Sequence, residues 1–274
     1  MCGLRQLCGD IYLIKKGILM ARVDYKDMIK FTEEVVEKGK FFEGFELVPL
    51  ESYEGMDTRP AWEFKTPMAS GFYKTFTIKG SSKIEKVTYG ELHYMRRAIY
   101  SVMNMTANDD YDLPVFSVEF DESAPRIGVT VDLMPLVDIA IHPEYQEKYL
   151  APLAGLWRKY RTIPGLTKEG RCLVQRRYAP WNWARESMSP FSLDGRIEEP
   201  QDRIKILDAI IAYGRVWLDL MQKAEPIKDP AYKQEMLNRK KVLQKVYRDR
   251  DPGGEVIKKI FGEEKHHLFV SIIF

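Results

Sequence analysis

The chain has 274 residues, of which 45% are hydrophobic and 12% aromatic, so it can form a substantial core and does not have the composition of a disordered protein. The formal net charge of +2 argues against a globally basic nucleic-acid-binding protein, and any basic patch must be local. The three cysteines, Cys2, Cys8 and Cys172, have no C-x-x-C spacing, which argues against a disulfide framework or a zinc site and favours a reducing compartment.

The first residues do not have the pattern of a known targeting signal. Residues 1–20 include basic side chains, but they lack the continuous apolar stretch of a secretory signal and the serine-rich composition of a plastid transit peptide. We expect residues 1–23 to be an N-terminal extension and residues 24–274 to form a single domain. No apolar run is long enough to span a membrane. From the absence of a transit-peptide pattern and from the cysteine usage we expect a cytoplasmic protein, or a stromal one in a photosynthetic eukaryote.

The first half of the chain is predicted to contain one helix followed by strands. The spacing of apolar residues predicts a helix over Asp24–Lys38. Strands are then predicted over Ala61–Lys65, Phe72–Lys79 and Ser82–Tyr89. The segment Leu92–Asn104 fits either a helix ending at Asn104 or a central strand over Ala98–Met105. Two apolar runs, Val115–Phe120 and Ile127–Leu133, flank a polar turn and predict a β-hairpin.

The second half is predicted to be mainly helical. Pro143–Arg161 should be a helix that Pro152 kinks or splits, followed by a short strand over Cys172–Arg176 and a long surface loop over Tyr178–Glu199. Further helices are predicted over Gln201–Lys223, Ala231–Tyr247 and Glu255–Phe261, before an apolar segment over Leu268–Phe274. Strands grouped between helices predict an α+β protein with one largely antiparallel sheet and helices on both of its faces.

Glu119 is the first candidate for chemistry. Strand side chains alternate, so Val115, Ser117 and Glu119 should point to one face, and their neighbours Phe116, Val118 and Phe120 to the other. A carboxyl group on a buried strand loses hydration, so we expect its pKa to rise and the group to act as a proton donor. Alternatively, Glu119 simply faces water from an edge strand.

Two stretches of the chain resemble known tetrapyrrole reductases. The run V-D-L-M-P-L-x-D-x-x-x-H-P-E-Y-x-E-x-Y, from Val131 to Tyr149, resembles red chlorophyll catabolite reductase, and F-S-V-E-F matches the strand on which that family carries a functional Glu. The segment Y-D-L-P-V-F, over Tyr111–Phe116, resembles the related ferredoxin-dependent bilin reductases, which usually have Asp where this chain has Glu119. The resemblance extends weakly from about Trp62 to the C-terminus.

The resemblance implies a fold, a reaction and two acids. The fold would be an α-β-α sandwich that reduces an open-chain tetrapyrrole with electrons from ferredoxin and holds no metal or organic cofactor of its own. Biliverdin is slightly preferred as the substrate and red chlorophyll catabolite is next. Glu119 would donate a proton from the sheet, and Asp251, in R-D-R-D-P-G-G, would donate one from the opposite side. Taken alone, Asp251 is a turn residue, and the whole chain could instead be a non-catalytic tetrapyrrole-binding protein.

The resemblance also suggests residues that bind the substrate. Arg161 matches the position of a propionate-binding Arg and Arg176 is a second candidate, because Arg binds carboxylates through two hydrogen bonds. Asn104 lies near the place where a related bilin reductase carries a His and this chain has Val102. His142 could cap a helix, bind a pyrrole carbonyl or do neither.

A basic segment near the C-terminus is the candidate docking surface for ferredoxin. Ferredoxin is acidic, so the surface it meets should be basic. The candidate side chains are Lys233, Arg239, Lys240, Lys241, Lys245 and Arg248. A solvated helix face is the alternative interpretation.

Overall fold

An eight-stranded antiparallel sheet forms the centre of the protein. The computed structural model describes residues 31–94, 98–122, 127–166, 186–197, 202–250 and 252–273. The strands of this sheet are β1 (Leu47–Pro49), β4 (Phe64–Lys65), β5 (Ala69–Ile78), β6 (Ile84–Tyr94), β7 (Ala98–Ala107), β8 (Val115–Glu122), β9 (Ile127–Met134) and β10 (Leu193–Ile197). Their order is β1-β5-β6-β7-β8-β9-β10, with β4 also paired to β5, while β2 (Ser52–Tyr53) and β3 (Met56–Asp57) form a separate hairpin.

Eight helices whose bounds the structure describes lie around the strands. They are α1 (Phe31–Gly39), α2 (Arg59–Trp62), α3 (Pro143–Tyr145), α4 (Ala154–Tyr160), α5 (Asp202–Lys223), α6 (Pro230–Arg250), α7 (Pro252–Phe261) and α8 (Glu263–Ile273). Between α3 and α4 the chain continues as a π-helical turn, Gln146–Leu150, and a 3₁₀ turn, Ala151–Leu153.

The two faces of the sheet differ in chemistry. Residues that pair directly across antiparallel strands point to the same side. One side, which we call the apolar face, carries Met105, Phe116 and Leu133 in neighbouring positions and buries all three. The other side, the polar face, carries Asn104, Ser117 and Asp132 one residue along each of the same strands, which are also buried.

Helices α1, α4 and α5 belong to the core on the apolar face. Helix α5 is the longest of them, and its buried stripe includes Ile210, Tyr213 and Trp217. The Trp217 indole Nε1 donates a hydrogen bond of 2.7 Å to the carbonyl of Pro114, just before β8. This anchor fixes α5 against the strand that carries Glu119.

Helices α7 and α8 cover part of the polar face. Phe269 and Ile272 of α8 share one apolar cluster with Tyr73, Leu92 and Val102 of the sheet. Helix α6 approaches the same side, where the Tyr247 hydroxyl lies 3.9 Å from the Met134 sulfur on β9. The protein is therefore an α-β-α sandwich, which confirms the predicted fold class.

Several predicted elements need correction. Ala61 and Trp62 belong to the short helix α2 rather than to a strand, because Pro60 suits the first turn of a helix. The predicted loop Tyr178–Glu199 contains the strand β10. Of the two alternatives for Leu92–Asn104, the strand over Ala98–Met105 is confirmed by β7, while Leu92 belongs to the end of β6. The predicted break at Pro152 is also confirmed, by the succession of helix types around it. The predicted strand Cys172–Arg176 lies outside the described residues.

Candidate active site

Glu119 lies near the middle of β8, on the polar face. Its cross-strand neighbours are Val102 on β7 and Thr130 on β9. Helix α8 covers Val102, and on the other flank a segment containing Ser189 is hydrogen-bonded to Asp132 on β9. The half-buried Glu119 side chain therefore stands on the strip of sheet between these two covers. Alternation along the strand predicted only that it lies on the face opposite Phe116.

A row of polar side chains crosses five strands beside Glu119. In order across the sheet its members are Thr75, Thr88, Asn104, Ser117 and Asp132, all of them buried. Ser117 is two residues from Glu119 on the same strand face, which corresponds to about 7 Å. Buried polar groups normally have hydrogen-bond partners: here Thr75 and Thr88 are bonded to each other, and Thr88 and Asn104 donate to carbonyls of α8. The row is therefore a polar strip beside Glu119 that is largely engaged within the chain.

Asn104 occupies the centre of this row. Its Nδ2 donates a hydrogen bond of 2.6 Å to the carbonyl of Ile273 at the end of α8. Its Oδ1 is buried and has no hydrogen-bond partner among the described residues. The structure thus brings Asn104 and Glu119 to one face, and the role of Asn104 in substrate binding stays a prediction.

A second buried carboxyl group on this face, Asp132, was missed by the sequence analysis. It accepts hydrogen bonds from the Ser189 backbone N–H, at 2.8 Å, and from the Ser189 hydroxyl. Burial raises the pKa of Asp132 to about 7, although the bonds from Ser189 act in the opposite direction. Alternation along β9 could have revealed it, because Asp132 shares the face of Thr130, the cross-strand neighbour of Glu119.

Replacing Asp132 with Asn should make the protein's stability less dependent on pH. The folded-state pKa of Asp132 lies above the ordinary value of 3.8. Its contribution to stability is therefore fully present below about pH 4 and is lost as the pH rises to about 7. The free energy of unfolding of Asp132→Asn, relative to the original protein, should increase over this window and then level off.

Urea denaturation at several pH values from about 4 to about 8 measures this difference. Asp208→Asn, which removes an exposed carboxylate from α5, serves as the control for a change in net charge. A difference between Asp132→Asn and the original protein that stays constant over the whole window would contradict the assignment.

His142 connects the loop after β9 to α6. Its Nδ1 lies 3.1 Å from a carboxylate oxygen of Glu144, its Nε2 lies 2.9 Å from one of Glu235, and its ring meets Tyr232 edge to face. Burial lowers the pKa of His142, but the two carboxylates together outweigh this effect and the net direction is upward. These contacts favour a structural role, and a role in substrate binding stays a prediction.

The same residues line a surface depression of about 590 Å³. The lining also includes Asp112, whose carboxylate accepts hydrogen bonds from the hydroxyls of Tyr149 and Tyr232. Glu119 does not line this depression. The depression and the polar face are therefore separate features of the described part of the molecule.

Of the remaining predicted site residues, Arg161 lies among the described residues, whereas Arg176 and Asp251 do not. The Arg161 guanidinium lies 4.2 Å from the centre of the Trp157 ring, at the end of α4, and α4 packs with α5 on the side of the apolar face. Its role as a propionate ligand stays a prediction. Asp251, between α6 and α7 in the chain, and Arg176 lie outside the described residues.

Most cations of the predicted docking surface are bonded to other groups of the chain, so fewer of them are exposed and unpaired than the sequence suggested. Lys240 is only 7% exposed, and its ammonium lies 2.6 Å from carboxylate oxygens of Glu85 and of Asp109, so its assignment to a docking surface was wrong. Other cations of the set also have partners within the chain: Lys233 with Asp110, Lys245 with Asp249, Arg248 with Glu54, and Arg239 with the carbonyls of Pro135 and Glu186. Lys241 is exposed.

No described helix is both long enough and apolar enough to cross a bilayer. Among the described residues, no three His, Cys, Asp or Glu side chains are grouped so that they could hold a metal ion. The prediction that the protein binds no cofactor of its own stays a prediction.

An antiparallel sheet between two helical layers defines the architectural class of this protein, an α-β-α sandwich. The chain belongs to the ferredoxin-dependent bilin reductase family, whose sequence model matches residues 90–274. This result confirms the superfamily that the sequence motifs indicated.

Two relatives and one solved structure show the extent of the similarity. Over 249 residues the chain is 22% identical to 15,16-dihydrobiliverdin:ferredoxin oxidoreductase of Nostoc punctiforme. This alignment covers 90% of this chain and 92% of that protein. Over 159 residues it is 24% identical to the chloroplastic phytochromobilin:ferredoxin oxidoreductase of Arabidopsis thaliana, covering 57% of this chain and 45% of that protein. Phytochromobilin synthase from tomato, solved in complex with biliverdin, has the same fold, with a TM-score of 0.68, 18% identity and coverage of 90% of this chain and 83% of that one.

Proposed function

We propose that this protein reduces an open-chain tetrapyrrole of the biliverdin class with electrons from reduced ferredoxin. The position of Glu119 carries the proposal, because this acid stands on the polar face between α8 and the segment tethered to Asp132. The names of the two relatives supply the substrate class and the electron donor, and the tomato enzyme was solved with biliverdin. Red chlorophyll catabolite is the second candidate substrate, on the strength of the motif over Val131–Tyr149.

The reaction balances when two electrons and two protons enter one carbon–carbon double bond. Each reduced ferredoxin supplies one electron and is oxidised, and each electron increases the negative charge on the pigment. A carboxylic acid held at a fixed place then delivers a proton to one particular carbon. Glu119 is proposed to be this acid on the sheet side, and its carboxylate would take a new proton from water after each transfer.

The length of the acid bears on which atom is protonated. Glu is one methylene longer than the Asp that the related bilin reductases usually carry at this position, so the Glu119 carboxyl should reach a different atom of the pigment. Asp251 is proposed to be the second acid and Arg176 to bind a propionate, whereas Arg161 is left out because α4 lies on the side of the apolar face, opposite Glu119. A reaction with ferredoxin would take place where ferredoxin is reduced, in the cytoplasm or the plastid stroma.

Anaerobic incubation of the protein with biliverdin and reduced ferredoxin tests the proposal. The absorbance of biliverdin should fall while that of a reduced product grows, and the reaction should stop when ferredoxin is omitted. A stable coloured complex that never changes its spectrum would support the alternative of a tetrapyrrole carrier. Chromatography of the products from biliverdin and from red chlorophyll catabolite decides between the two substrates.

A further inference from the structure

The last turn of α8 is bound to the polar face through its backbone carbonyl groups. Three side chains of β6 and β7 donate the hydrogen bonds, and we call Lys86, Thr88 and Asn104 the donor row. The bonds run from Lys86 Nζ to the Ser271 carbonyl, from Thr88 Oγ1 to the Ile272 carbonyl and from Asn104 Nδ2 to the Ile273 carbonyl, each at 2.6 Å. All three donors are at most 1% exposed.

The donor row is unusual in its burial. The final carbonyls of a helix lack partners within the helix and carry the negative end of its dipole, so a cation is favourable there, normally at the surface. Here the row includes a lysine with no access to solvent, although lysine is almost never fully buried. Its ammonium also lies 4.1 Å from the centre of the Tyr53 ring. Burial lowers the pKa of Lys86 to about 7. The Lys86 Nζ can donate hydrogen bonds as an ammonium or as a neutral amine, so together with two neutral donors it is suited to an oxygen-rich ligand.

The contact between α8 and the sheet leaves polar atoms without partners. Asn104 Oδ1, Thr106 Oγ1 and Ser271 Oγ are buried at this contact and have no hydrogen-bond partner among the described residues. Each such atom carries the cost of lost hydration. The last turn of α8 therefore matches this part of the polar face only incompletely.

The donor row and Glu119 are close enough to serve one extended ligand. Asn104 pairs with Ser117, which is two residues from Glu119 on β8, a separation of about 7 Å along the strand. A flat pigment that placed an oxygen atom on the donor row would extend towards the Glu119 carboxyl group. In the described state the end of α8 occupies that place.

We propose that the donor row binds an oxygen acceptor of the tetrapyrrole and that the last turn of α8 is a built-in competitor which the substrate displaces. The class of ligand rests on the proposed function. The attachment of α8 to the sheet, which we call the hold on α8, is defined by the three hydrogen bonds from the donor row and does not depend on that function. Because part of the affinity is spent on moving α8, the observed affinity is lower than that of a protein with the row already open.

The substitution Ser271→Pro tests the competition. A proline at this position removes a helical N–H and clashes with the preceding turn, so it should release the last turn from the donor row. Biliverdin, followed by its absorbance, should then bind about tenfold more tightly, the effect of removing one or two competing hydrogen bonds. Glu264→Pro is the control, because proline is tolerated in the first turn of a helix, where Glu264 is exposed. Unchanged or weaker binding by Ser271→Pro would show that α8 is a fixed wall and overturn the proposal.

Hydrogen exchange of the intact protein provides a second test. Without ligand, Thr88→Val should speed amide exchange in Val270–Ile273 by about three- to tenfold, because one hydrogen bond to α8 is lost. Thr106→Val makes the same change on the same face, at a hydroxyl without a described partner, and should leave this exchange unchanged or slow it. Equal effects of the two substitutions would contradict the assigned hold.

Saturating biliverdin should also speed exchange in the same four residues of the original protein. Slower exchange in the bound protein would overturn the displacement. The absorbance of biliverdin reports binding separately, so a protein that binds no pigment would contradict the proposed function, while the Thr88→Val comparison would still test the hold on α8.

The oxygen acceptor can be a ring carbonyl or a propionate, and biliverdin dimethyl ester distinguishes them. In the Ser271→Pro background, Lys86→Met should weaken biliverdin binding. An equal loss for the ester would place a ring carbonyl on the donor row, and a loss for the free acid alone would place a propionate there. No loss for either compound would overturn the assignment of the row as a ligand site.

Discussion

Replacing Glu119 with Gln is expected to leave tetrapyrrole binding nearly intact and to slow or divert reduction by roughly a hundred- to ten-thousand-fold. Gln has the same length as Glu and can occupy the same place between Val102 and Thr130, but it has no acidic proton to transfer. The first electron would still enter the pigment, so a partly reduced or radical species should accumulate. Anaerobic stopped-flow spectroscopy with reduced ferredoxin measures both the rate and this species.

Two further variants sharpen the test of Glu119. Glu63→Gln neutralises an exposed acid near β4 and should react like the original protein. Glu119→Asp keeps the acid but withdraws it by one methylene, so it should alter the ratio of products more than the affinity for the pigment. Turnover at the original rate in Glu119→Gln would remove this residue from the mechanism.

Replacing Lys240 with Met is expected to lower the free energy of unfolding by about 2–3 kcal/mol. The ammonium group is largely buried, and it neutralises Glu85 and Asp109 at the same time. Removing it leaves two carboxylates close together with no cation between them. The cost stays below that of a fully buried pair because Asp109 remains 56% exposed and can be hydrated.

Lys241→Met is the matched control for this prediction. Lys241 is the next residue of α6 and is exposed, so its loss should change the free energy of unfolding by no more than about 0.5 kcal/mol. Urea denaturation of the two variants gives the comparison. Equal stabilities would mean that the Lys240 cluster contributes little to the fold.

The sequence predicted those features that depend on local spacing. Alternation along Val115–Phe120 placed Glu119 on the face opposite Phe116, and the structure confirms both positions. Proline chemistry predicted the break at Pro152. The strand β10 was missed because Leu193–Ile197 is short and contains a glycine and two charged residues, which gives it the composition of a loop.

Features that depend on distant parts of the chain could not be predicted from the sequence. Lys240 lies in a basic helix, and its burial follows from Glu85 and Asp109, which are 155 and 131 residues away. The hold on α8 likewise joins residues that are 169 to 185 positions apart. Composition and periodicity do not reveal such pairings, and the roles of Asp251 and Arg176 were inferred from family resemblance.

The unlike faces of the sheet have a consequence for how such a protein can diversify. The side chains that pack against the helical layer α1–α4–α5 and those proposed to meet the pigment alternate along the same strands. If the proposed site is correct, substitutions at every second position of β7, β8 or β9 would change the pigment-binding face and leave the packing on the opposite face intact.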